Sequence, residues 1–252
     1  MSHLHLSMDP VDEELLHELE AGLDPAMPGA SAVPFTVIGY GEMSTVFRID
    51  NDHQVAYKRM PLFKDEESAR AYIAMFEEYS RLLAEAGIQV PPQETRIVAL
   101  PGRPVVLYIA QPLLPFDRFC HTMVHSADAE AAGEIIDAVS REISRVWEWN
   151  REHHPHHELS LDGQLSNWVM DGSTGRPYYI DTSTPMYRVN QEEQLDPELF
   201  LQSAPWMLRW ILRLFFVEDV MTRYYDFRQV LRDLLANLHK EGRADLVPHV
   251  VG

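Results

Sequence analysis

Two carboxylates and one carboxamide stand at intervals that suit work on a phosphate. Asp162 precedes Asn167 by five residues, and Asn167 precedes Asp181 by fourteen. Between the last two lie Trp168, Val169 and Met170, a polar turn over residues 171–175 with two glycines, and Tyr178, Tyr179 and Ile180. Turn residues flanked by aromatic and β-branched residues predict a hairpin, which would carry Asp181 back to Asn167. An amide oxygen and a carboxylate held together suit a hard cation such as Mg²⁺. Asp162, on the loop just before, is then free to accept a proton from a hydroxyl.

These side chains need elements to hold them, and the upstream chain supplies candidates. Residues 35–49 read as strand, Gly39-Tyr40-Gly41 turn, strand. No helical pattern follows the glycines, which disfavours a Rossmann dinucleotide site. A glycine-rich hairpin can instead lie over phosphates and offer backbone N–H groups, although a bare turn has the same signature. Residues 54–59 alternate as a strand, with Ala56 and Lys58 on one face and Val55 and Tyr57 on the other. Arg59 then points away from Lys58.

A long helix is predicted over 64–86, with Tyr72, Met75, Phe76, Tyr79, Leu82 and Leu83 recurring at helical steps. Strands over 94–100 and 104–111 follow, joined by Pro101-Gly102-Arg103. From Pro112 the pattern turns helical: a short helix over 116–124, a long one over 128–153 capped by Ser126, and helices through 197–240. Within the last stretch, Trp206, Leu208, Trp210, Ile211, Leu214 and Phe215 are expected to pack beneath the loop that carries Asp162. An earlier amphipathic helix over 9–24, capped by Asp9, reads as a brace on the first sheet or as a dimer contact.

Taken in order, these motifs resemble the protein-kinase-like fold, closer in style to aminoglycoside phosphotransferases and choline kinases than to protein kinases. The resemblance covers residues 35–185 closely and the remainder loosely. It implies a two-lobed α+β architecture: an N-terminal extension at 1–30, a small antiparallel sheet with one helix at 31–111, and a mostly helical lobe at 112–252. It implies ATP and Mg²⁺ as cofactors and a small-molecule hydroxyl as acceptor. Asp162 would orient or deprotonate the hydroxyl, and Asn167 and Asp181 would hold the metal. Gly39, Gly41 and Ser44 would cover the phosphates. Lys58, fixed by Glu78 or by its neighbour Glu77, would hold the phosphate chain. Tyr108 and Ala110 fall on the hinge that would bind adenine. The Gly87-Ile88-Gln89-Val90-Pro91 phrase after the helix also resembles such small-molecule kinases.

The pattern is not complete. Ser160 replaces the usual histidine before the catalytic aspartate, Gln164 stands where lysine or histidine is common, Ser44 replaces the third glycine, and Thr182-Ser183 follow Asp181. No long activation segment follows, which favours a small substrate over a protein. Two other readings stay open: a catalytically idle nucleotide-binding or interaction module, and a nucleotidyl transferase.

Composition narrows the partners. The chain has 252 residues, 46% hydrophobic and 24% charged, with a net charge of −18 from 21 basic and 39 acidic residues. That balance argues against nucleic acid or an anionic membrane as partner. It is compatible with a cationic substrate, to which the acidic stretch 191–198 could contribute, or with plain solubility. A single cysteine, Cys120, together with the absence of a long apolar run or a signal-peptide pattern, leads to the expectation of a cytoplasmic protein. His153, His154, His156 and His157 invite a zinc reading, but adjacent histidines on an irregular segment tend to point apart. The oligomeric state and the identity of the acceptor are not legible.

Overall fold

The computed structural model describes residues 4, 6–23, 31–40, 44–50, 52, 54–195, 223–240 and 242–247. The fold is mixed α and β with antiparallel sheets. Helix α1 (Glu13–Gly22) is capped by Asp12, whose carboxylate accepts from the N–H groups of Glu14 and Leu15, so the cap lies three residues past the expected Asp9. Strands β1 (Phe35–Tyr40), β2 (Thr45–Ile49), β3 (Val55–Phe63), β4 (Glu94–Val98) and β5 (Val105–Pro112) form one sheet in the order β1-β2-β3-β5-β4. All its pairings are antiparallel.

Each face of this sheet is covered by a different helix. Helix α2 (Glu66–Glu85) starts with a capping box between Asp65 and Ser68. Its Tyr72 and Phe76 pack with Met60, Phe63, Leu107 and Ile109 of the sheet. On the opposite face, Leu16 and Leu19 of α1 pack with Phe47, Ile49, Tyr57 and Tyr108. A buried polar knot ties that second contact: Glu20 accepts from Arg59 Nη2 at 2.9 Å and from the Tyr108 hydroxyl. Arg103 donates to the carbonyls of Glu20, Ala21 and Leu23, which satisfies the end of α1. Of the two roles open to this helix, the brace is the one seen.

The largest core lies beyond the sheet. It joins α3 (Cys120–Ser126), α4 (Ala129–His153), the hairpin β7 (Trp168–Met170) with β8 (Pro177–Tyr179), and α5 (Phe227–Lys240) to the last turns of α2. Asp128, not Ser126, caps α4, accepting from the Ala131 N–H at 2.9 Å. The region expected to be one short helix over 116–124 divides into a single turn at Phe116–Arg118 and then α3. A small sheet of β6 (His157–Leu159), β9 (Tyr187–Val189) and β10 (Glu192–Glu193) flanks the loop that follows β6. The expected packing of residues 206–215 lies outside the described residues. No described helix is long and apolar enough to cross a membrane.

Candidate active site

The loop over residues 160–167 is tied down from several sides. Tyr79 of α2 donates its hydroxyl to the Ser160 carbonyl at 2.7 Å, and the Ser160 hydroxyl donates to the Tyr224 carbonyl. The Asp162 N–H donates to the Tyr179 hydroxyl at 3.2 Å, and Asn237 of α5 accepts from the Leu165 N–H at 3.1 Å. A side chain at Gly163 would meet Val230 at 3.0 Å and Ile143 at 3.1 Å, so glycine lets the loop lie close on α4 and α5. Burial pushes the Tyr79 and Tyr179 phenols far up, so both remain neutral hydrogen-bonding groups.

The hairpin behaves as its sequence predicts. Strands β7 and β8 pair Trp168 with Tyr179, and the Ile180 N–H donates to the Asn167 carbonyl at 3.0 Å. Asp181 therefore begins where Asn167 ends. Lys58 arrives from the sheet: its Nζ donates to the Ile180 carbonyl at 2.7 Å and lies 4.0 Å from Asp181 Oδ1. Asp162, Asn167, Asp181 and Lys58 line one cleft of about 1060 Å³ between the sheet and the helical part, and Gly39 and Ser44 line its roof. Gly41 lies outside the described residues.

Three expectations need correction. Glu78 does not reach Lys58; it accepts two hydrogen bonds from Arg81, each 2.8 Å, and its carboxyl is held below its ordinary range by that guanidinium. Glu77 is exposed. The face of α2 that looks toward the site carries Tyr72 and Tyr79, and Glu78 is one residue, roughly 100°, around the helix from Tyr79. Tyr72 hydrogen-bonds the Ser183 carbonyl beside Asp181. Tyr108 and Ala110 do not line the cleft either. Alternation along β5 turns both toward α1, while Gln111 and the following Leu113 and Leu114 face the cleft.

Gln164 has a part that its sequence position did not announce. Its N–H donates to Asp162 Oδ1 at 3.0 Å and its side-chain amide to Oδ2 at 2.8 Å. Both carboxylate oxygens of Asp162 thus accept from Gln164, which fixes the plane of the carboxylate at the cleft. A second cavity of about 320 Å³ shares Asp162 and Gln164 with the cleft and is otherwise lined by Arg223, Tyr224, Asp233, Ala236 and Asn237. Tyr72 and Tyr79 read in sequence as one face of a helix, Tyr179 as part of a hairpin, and Arg48 and Gln111 as residues within strands. Only the fold shows which way they face.

The histidine cluster disperses. His153 stacks on Trp149 with ring centroids 3.9 Å apart, and His156 Nδ1 lies 3.2 Å from Asn190 Oδ1. Among the described residues, no three His, Cys, Asp or Glu side chains are grouped to hold a metal. Asp181 and Asn167 are oxygen donors at the cleft. Mg²⁺ is commonly held by one or two such groups together with substrate phosphates, so this pair fits the ion without a third protein ligand. In the acidic stretch, Glu193 is engaged by Tyr225 at 3.0 Å and by Arg188 at 3.5 Å, while Asp196 and Glu198 lie outside the described residues.

No curated protein matches this chain. Among solved structures, WaaP in complex with acyl carrier protein aligns with a TM-score of 0.36 and 16% identity, covering 95% of this chain and 99% of that one. The model of DUF6206, described as a family of unknown function, matches residues 23–251, and the chain belongs to that family.

Proposed function

We propose that this protein is a two-lobed, protein-kinase-like phosphotransferase that moves the γ-phosphoryl group of a nucleoside triphosphate to a small-molecule hydroxyl. The observation that carries the reading is the meeting of Lys58 with the Ile180–Asp181 segment in the cleft that Asp162 and Asn167 also line. Lysine on a strand, two oxygen donors at a hairpin's ends and a carboxylate on the preceding loop are the parts that positioning and charge neutralisation of a phosphate chain require. ATP is the donor that the family resemblance implies, and Asn167 and Asp181 would hold Mg²⁺. The ion would neutralise charge on the phosphates when bound.

In this mechanism the acceptor enters by the smaller cavity and hydrogen-bonds the Asp162 carboxylate. Gln164 holds the carboxylate in place. The acceptor oxygen forms a bond to the γ-phosphorus as the bond to the bridging oxygen breaks. The hydroxyl proton passes to Asp162, and the nucleoside diphosphate leaves with Lys58 beside its phosphates. The net charge of −18 is compatible with a cationic acceptor.

The test is incubation with ATP, Mg²⁺ and a panel of small alcohols and aminoalcohols, followed by mass spectrometry. A product one phosphate heavier supports the reading. A product carrying a nucleoside monophosphate would instead establish nucleotidyl transfer. Nucleotide binding without turnover of any acceptor would favour the idle module, and absence of Mg²⁺-dependent binding would remove the proposal.

A further inference from the structure

Two groups compete for the Asp181 carboxylate. Ser183 Oγ donates to Oδ1 at 3.2 Å, and Lys58 Nζ lies 4.0 Å from the same oxygen. At 4.0 Å the ammonium attracts the carboxylate but does not hydrogen-bond it. Lys58 instead donates to the Ile180 carbonyl at 2.7 Å. A carboxylate free to rotate would close onto the ammonium, and an oxygen engaged in an ion pair is a poorer ligand for a cation. The Ser183 hydroxyl opposes that rotation. Both contacts fall on Oδ1, which leaves Oδ2 for a cation.

Ser183 is held in its turn. Its carbonyl accepts from the Tyr72 hydroxyl of α2, 111 positions earlier in the chain. Tyr72 is buried, and desolvation pushes its phenol far up, so it remains a neutral donor. Ser183 is buried as well, and it lines the cleft together with Asp181. Thr182 between them is fully buried, and the Gln93 amide nitrogen donates to its hydroxyl at 2.6 Å. The backbone on either side of the carboxylate is therefore fixed, by Lys58 at Ile180 and by Tyr72 at Ser183. Helix α2 reaches the candidate metal ligand through a tyrosine and a serine, with no charge of its own at that contact. Groups that hydrogen-bond a ligating carboxylate set its orientation and so tune the affinity for the metal.

We infer that Ser183, anchored by Tyr72, is the positioning residue that keeps Asp181 off Lys58 and available to a divalent cation. The inference rests on the phosphotransferase reading above and names what orients its metal ligand. The test loads the full chain with AMP-PNP, a non-hydrolysable ATP analogue, in metal-free buffer and then titrates Mg²⁺ calorimetrically. Ser183→Ala and Tyr72→Phe are each expected to raise the Kd for Mg²⁺ by about 10- to 100-fold. The Kd for AMP-PNP without metal is expected to stay at the wild-type value, because a merely structural role would weaken both steps together. Ser183→Ala, checked for an unchanged melting temperature, decides the inference by itself. A wild-type Kd for Mg²⁺ in that variant overturns it, and so does an equal loss of metal-free AMP-PNP binding. A wild-type Kd for Mg²⁺ in folded Tyr72→Phe overturns the part given to Tyr72. If the wild-type chain binds no AMP-PNP, or its complex takes no Mg²⁺, the phosphotransferase reading fails first and the inference falls with it.

Discussion

The two faces of the five-stranded sheet differ in what they do with the same strands. Toward α1, Val55, Tyr57 and Arg59 of β3 alternate with Lys58 and Ala56 on the cleft side. The α1 face is closed: Tyr57 and Tyr108 are buried, and the buried Glu20 carboxylate has both Arg59 and Tyr108 as partners. On the cleft face, Arg48, Lys58 and Gln111 line a cavity instead of packing into a core. If the proposed function holds, the closed face provides stability and the cleft face chemistry, so substitutions on the two should separate folding from activity.

The strongest separation is expected at the loop facing the open side. If Asp162 accepts the hydroxyl proton, Asp162→Asn lowers phosphoryl transfer by about 10²- to 10⁴-fold, with nucleotide binding and melting temperature nearly unchanged. A fully active variant would exclude Asp162 as the base. On the closed face, Glu20→Ala leaves Arg59 buried without its carboxylate and is expected to cost about 3–5 kcal/mol in urea denaturation. The double change Glu20→Leu with Arg59→Met should recover most of that loss. Turnover per folded molecule should persist in both, and its loss would show that the α1 face also shapes the site.

Glu193 sharpens the contrast with Glu20. Its carboxyl is largely buried, and desolvation pushes its pKa from 4.5 up to about 7 despite Tyr225 and Arg188. The native state holds this proton where the unfolded chain releases it. Stability therefore falls as pH rises between 4.5 and about 7, by about 1–3 kcal/mol, and Glu193→Gln should flatten that part of the profile. A variant with the wild-type slope would assign the dependence to other groups. The smallest effect is expected at Glu78, half-open to solvent and paired with Arg81. Glu78→Ala should cost under about 1 kcal/mol and leave nucleotide binding unchanged. A loss of binding would restore Glu78 as the partner of Lys58.

Much of the layout is visible before any coordinates. The glycine-rich hairpin, the strand lysine, the helix after it and the Asp162–Asn167–Asp181 spacing follow from turn chemistry and periodicity, which act over a few residues. The β7–β8 hairpin formed as read because its turn is local. The errors came where a choice lay between faces. Glu78 and Tyr79 are neighbours in sequence but look in different directions, and Tyr108 and Gln111 lie on one strand but face opposite sides of the sheet. Period alone gives two faces without saying which is inside.

The amino-acid order thus determined which elements form and in what succession, since helix and strand patterns and their caps are short-range properties of the chain. The tertiary structure alone decided which side of each element meets the cleft. Helix α1 seals one side of the sheet, α2 covers only part of the other, and in the remaining part Lys58 meets Ile180 across 122 positions of chain. Contacts of that kind depend on which surfaces exclude water together, a property of the packed whole that no local stretch encodes.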